Sequence, residues 1–120
     1  MTMEPFWWAE LRQTIGPLNT GDQDEPLMIR LAYLGRALAD DVDALTEQQR
    51  TDLFALLERV VVHGARNEST SVATGFFEAL LNAWDRGFDL RRVWHHVGPE
   101  SRAFCLAWNA YNGIASPDWM

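Results

Sequence analysis

The sequence predicts an all-α domain: an irregular bundle or short stack of about five to six antiparallel helices. Apolar residues recur at helical spacing along most of the chain, and no stretch alternates with period two. Glycine or proline punctuates that pattern at short intervals, so the helices are short and the loops tight. A chain of 120 residues, 48% apolar and 22% charged, has the size and composition of one folded domain, so residues 1–120 are read as a single unit.

The first helix is expected from about Pro5 to Ile15, with Pro5 in the first turn where its missing N–H costs nothing. Gly16-Pro17 stops it, and Leu18 to Pro26 reads as a polar, turn-rich loop. A second helix follows from Leu27 to Ala39, with Leu27, Leu31, Leu34 and Leu38 on one face. It ends at Asp40-Asp41, whose charges are unfavourable beside a helix C-terminus. Thr46-Glu-Gln-Gln49 is a capping-box pattern, and Leu53, Leu56, Leu57, Val60 and Val61 then form an apolar stripe up to His63, with Gly64 as the stop. Ser69 or Thr70 is the expected cap of a fourth helix running to Arg86. Its apolar positions, from Val72 through Phe76, Phe77, Leu80 and Leu81 to Trp84, cover an arc wide enough for a central helix. Asp89 is placed to cap a short fifth helix through Trp94 to Val97, and Gly98-Pro99 separates it from a sixth over residues 100–112. That helix stops at Gly113, and the tail Ala115–Met120 is expected to be loosely held.

Charge narrows the function classes. The formal net charge is −7; residues 1–60 carry −6 of it and residues 61–120 carry −1. An acidic surface repels phosphate backbones, which argues against nucleic acid as a ligand and for a basic protein partner. No apolar run is long enough to span a bilayer. The N-terminus Met1-Thr-Met-Glu4 has an acid where a secretory signal carries basic residues, so a cytoplasmic location is the expectation. The single cysteine, Cys105, lies among apolar and small residues and reads as a buried thiol.

Catalytic patterns are missing from the sequence. It holds no nucleophile elbow, no glycine-rich phosphate loop and no lysine for Schiff-base chemistry. The histidines are His63, His95 and His96. Neighbours on a helix point about 100° apart, so a metal site would require His63 to meet one of the pair together with a carboxylate. No metal and no cofactor is expected on that reading; the histidines serve as polar residues near helix ends.

Three features remain as candidate binding elements. The acids form groups: Asp22, Asp24 and Glu25; Asp40, Asp41 and Asp43; then Glu47. They are either ordinary solvated loop residues or a patch that steers a basic partner. Ser71, Thr74, Gly75, Glu78, Asn82 and Asp85 share a helix face. That face is either the solvent side of an amphipathic helix or a groove in which Gly75 admits a partner and Glu78 takes its cation. Trp7 and Trp8, two of six tryptophans, are adjacent on a predicted helix, so they are not expected both to face one core. Trp8 is either wrapped over the bundle edge or an exposed anchor.

The segment Asn67-Glu-Ser-Thr-Ser-Val-Ala-Thr-Gly-Phe-Phe-Glu-Ala-Leu-Leu81, followed by Leu90, Val97-Gly-Pro-Glu-Ser-Arg-Ala-Phe104 and Trp108, resembles small bacterial immunity proteins of polymorphic toxin systems. These include the contact-dependent inhibition, Rhs and type VI secretion effector types. The shared pattern is a polar–Val-Ala-Thr-Gly-Phe–hydrophobic–Glu helix and a Leu-Gly-Pro-x-x-Arg turn; Val97 replaces the leucine. The resemblance implies a non-enzymatic inhibitor that occludes a basic active-site cleft of a cognate toxin domain, nucleases being common among such toxins. A general adaptor or secretion chaperone is the alternative reading, and a small helical metal-dependent enzyme a further one.

Overall fold

The computed structural model describes residues 4–120, so Met1, Thr2 and Met3, which bear on the leader expectation, lie outside the described residues. Among these the secondary structure is entirely helical. Six helices follow in order: α1 (Trp8–Ile15), α2 (Leu27–Asp40), α3 (Glu47–His63), α4 (residues 66–85), α5 (Arg91–Trp94) and α6 (Pro99–Tyr111), with a single 3₁₀ turn at Val42–Ala44. None of them is long and apolar enough to cross a membrane.

Local signals account for most boundaries. Thr46 accepts from the Gln49 amide at 3.1 Å while the Gln49 side chain accepts from the Thr46 amide at 2.7 Å, the expected capping box. Helix α1 starts later than its sequence suggests. Pro5 precedes the helix and its carbonyl accepts from the Trp8 amide. Neither Ser69 nor Thr70 caps α4, which starts at Arg66; the Ser69 hydroxyl donates to the Val61 carbonyl and ties the α3–α4 corner together.

Helix α4 is central, as its wide apolar arc predicts, and packs against α2, α3 and α6. It is α-helical over Arg66–Ser71, π-helical over Val72–Phe77 and α-helical again over Glu78–Asp85. The π turn holds more residues than an α turn and so rotates everything after it relative to the helix start. Consequently both Phe76 and Phe77 are buried, edge to face with each other, and both pack against Phe54 of α3. The π segment also lets two backbones touch. A Cβ at Gly75 would stand 2.5 Å from the Met28 carbonyl oxygen, and one at Gly35 would stand 2.6 Å from that of Phe76. The α2–α4 contact is therefore glycine-dependent from both sides.

Two long-range devices close the molecule. Glu58 of α3 accepts from the Glu100 amide (2.9 Å), the Ser101 amide (3.0 Å) and the Ser101 hydroxyl (2.7 Å), capping α6 from a different helix. Burial opposes the Glu58 charge, but these three donors outweigh it and hold its pKa below the ordinary value. The tail, expected to be loose, folds back instead. Trp119 packs edge-on against Trp84 and Trp94, and buried Asn109 donates to Ser116. Cys105 is buried, which pushes its thiol up to about 12, so it is an inert packing residue.

Candidate functional site

The sequence singled out acids, and the structure distributes them in three places. Asp22, Asp24 and Glu25 precede the N-terminus of α2, where Asp22 closes an Asx turn onto the Asp24 amide at 3.0 Å. Asp40 and Asp41 lie at the other end of the same helix, both exposed. A 14-residue helix separates the two groups by about 20 Å, so they do not form one continuous patch. Among the described residues none of these five acids is ion-paired. Asp43 and Glu47 differ: Asp43 is paired with Arg92 and Glu47 with Arg50.

Two further candidates need correction. Trp8 is 3% exposed, so it is a core residue and not an exposed anchor. Trp7 is buried as well, because it sits at the start of α1 and its Nε1 donates to Glu68 at 2.9 Å. The two rings do share one core. The buried Arg30 guanidinium lies 4.2 Å over the Trp8 ring and pairs with Glu4 at 2.8 Å. The polar stripe on α4 is not one groove either. The π turn breaks its register: Ser71 and Gly75 are buried, Thr74 and Glu78 are half-buried, and only Asn82 and Asp85 are exposed. Gly75 gives close approach to α2 of the same chain, not to a partner.

The outward face of α2 was not singled out from sequence. Ile29 and Tyr33, spaced i, i+4, are 42% and 40% exposed. With Ala32 and Arg36 of α2 and Ala79, Asn82 and Arg86 of α4 they line a groove of about 270 Å³. The signal was present in the run Leu27-Met-Ile-Arg-Leu-Ala-Tyr33, where apolar residues occupy more of the helix circumference than one buried stripe needs.

The histidines also depart from expectation. His63 ends α3, about 24 Å along that helix from Glu47, and takes no part. His95 and His96, adjacent as they are, both reach Glu47. Helix α5 ends at Trp94, and the two residues occupy the turn that follows, with ring centroids 4.0 Å apart. The Nε2 atoms of His95 and His96 stand 3.2 and 3.1 Å from the same oxygen, Glu47 Oε1. The expectation failed because reach across α3 is set by side-chain rotamers at a chain turn, not by a 100° helical offset. Desolvation, then the neighbouring His95, lowers the pKa of His96 and favours its neutral ring. Side-chain hydrogen bonds from Arg50 and then His95 keep the Glu47 carboxylate below its ordinary pKa.

Comparison with protein-family models, curated proteins and solved structures returns no match to this chain.

Proposed function

We propose that this chain is a non-enzymatic immunity-type protein that neutralises a cognate toxin domain by docking the outward face of α2 against it. The observation that carries the reading is the composition of that face. Exposed Ile29 and Tyr33 form an apolar and aromatic centre, while unpaired carboxylates stand at both ends of the helix, Asp22 and Asp24 at one and Asp40 and Asp41 at the other. An apolar, aromatic middle within a charged rim is the anatomy of a protein–protein interface. The rim charge speaks for a partner that presents basic residues, such as the walls of a phosphate-binding cleft. Arg36 and Arg86 in the groove add a demand for a carboxylate on that partner. The sequence resemblance over residues 67–108 supports the immunity class independently of this surface.

The test looks for a neighbouring reading frame that encodes a toxic C-terminal domain and co-expresses that domain with this chain, scored by survival and co-purification. The native protein rescues the cells and co-purifies with the domain. Ile29→Glu loses both while retaining the helical circular dichroism of the native chain, because Ile29 is not in the core. Failure of the native chain to rescue or to co-purify overturns the proposal; full rescue by Ile29→Glu removes this face from it.

A further inference from the structure

We propose that Glu47, His95 and His96 form a binding site for one divalent first-row transition metal ion, zinc foremost, with three protein ligands and a fourth position open to solvent. The inference goes beyond the protein-docking reading and does not depend on it.

Ligand geometry comes first. One ligand atom each from Glu47, His95 and His96 lies within 4.8 Å of the other two, and Glu47 Oε1 stands 3.2 and 3.1 Å from the two Nε2 atoms. Donors bound to one zinc ion at about 2.0–2.2 Å in a tetrahedron stand roughly 3.4 Å from each other. The side chains are thus already spaced as ligands are, and need little movement to close on an ion.

A second, independent observation is the state of His96 Nε2. The His96 side chain is only 6% exposed, and Nε2 has no hydrogen-bond partner: its separation from Glu47 Oε1 is short, but the direction of a hydrogen bond is not met. On the other side of the ring, Nδ1 lies 3.2 Å from Thr51 Oγ1, whose own hydrogen is directed at the Glu47 carbonyl 3.0 Å away. The hydroxyl oxygen is then left to accept, which puts the ring hydrogen on Nδ1 and a lone pair on Nε2. A buried lone pair facing a carboxylate oxygen is unfavourable without a cation between them. With one, it is a coordination bond.

The surroundings act as an outer shell. Thr51 fixes the His96 tautomer and ring plane. Arg50 holds Glu47 Oε2 at 3.0 Å and is itself anchored on the Val42 and Leu45 carbonyls at 2.9 and 2.8 Å, which turns Oε1 toward the two imidazoles, where an ion would replace the His95 hydrogen bond. Phe54 stacks on the inner face of His96. Glu47 and His95 are well exposed, so water can take the remaining position. The Arg50 charge sets the selectivity. It offsets the carboxylate, so hard cations such as Mg²⁺ and Ca²⁺, held by oxygen charge, gain little. An ion that bonds imidazole strongly retains its affinity.

The test titrates the untagged full-length chain, stripped with chelator, with Zn²⁺ and separately with Mg²⁺ by calorimetry, and with Co²⁺ by visible absorption. One Zn²⁺ per chain binds, Mg²⁺ does not, and Co²⁺ develops the ligand-field bands of a low-coordinate nitrogen and oxygen site. His95→Ala and Glu47→Gln, both at exposed positions, each weaken Zn²⁺ binding tenfold or more. Thr51→Val weakens it about 10–100-fold through the tautomer, and His63→Ala leaves it unchanged. No Zn²⁺ binding by the native chain overturns the proposal, as does binding whose affinity survives both His95→Ala and Glu47→Gln.

Discussion

Replacing Glu58 by alanine removes a helix cap supplied from 42 residues away. The Ser101 amide and hydroxyl lose their acceptor in a place only 1% exposed, whereas the Glu100 amide can turn to water. An N-cap deletion costs about 1 kcal/mol, and a buried donor left without a partner costs about 1–3 kcal/mol. Part of the carboxylate is wet, so the charge contribution is screened. We expect a loss of about 2–3 kcal/mol for Glu58→Ala and about half of that for Glu58→Gln, which keeps one acceptor. For a domain of this size each kcal/mol moves Tm by about 4 °C, so the alanine variant melts about 8–12 °C lower. The assay is urea unfolding followed by tryptophan fluorescence and circular dichroism, repeated across acidic pH. Because the folded state holds the Glu58 pKa below its ordinary value, its contribution is complete above the unfolded pKa. It disappears as pH falls through the folded one. The gap between native and Glu58→Ala chains therefore narrows on acidification, to what the neutral carboxyl can still accept. A loss below about 0.5 kcal/mol at neutral pH, or a gap that does not narrow in acid, refutes the assignment of Glu58 as the cap of α6. Gly98→Ala supplies an internal check, since its Cβ would lie 2.5 Å from the Glu58 carboxyl carbon. It should displace the cap and add little to Glu58→Ala in the double variant.

Two further outcomes follow from packing. Gly75→Ala and Gly35→Ala each drive a methyl into a backbone carbonyl that cannot step aside, and each should destabilise by about 1–3 kcal/mol, measured as a shifted urea midpoint; a neutral change at both would mean that α2 and the π turn slide apart freely. Cys105 should resist a thiol reagent in the folded chain and react only at the rate of opening, because burial raises its pKa to about 12; prompt labelling without denaturant contradicts the buried, protonated thiol.

How much of this was legible in the sequence depends on the reach of each signal. The capping box at Thr46–Gln49, the leucine face of α2 and the central position of α4 were readable, because such patterns act within one or two helical turns. The burial of Trp8 was not, since it depends on Arg30 arriving to cover the ring, 22 residues on. The π turn was not either. Val72–Phe77 carries no sequence mark of it, and its register shift broke up the polar stripe drawn through Gly75 and Glu78.

The candidate sites divide in the same way. The sequence by itself determined an acidic, all-helical chain with abundant tryptophan and a single thiol, because charge, apolar period and residue type are properties of the chain wherever it goes. Only the tertiary structure decided that Glu58 caps α6 and that Trp7 and Trp8 share one core. It alone decided that His95 and His96 meet Glu47 across 48 and 49 residues of chain. Those outcomes turn on which helix faces which, and on the rotamers packing then imposes. Neither is encoded in the spacing of neighbouring residues.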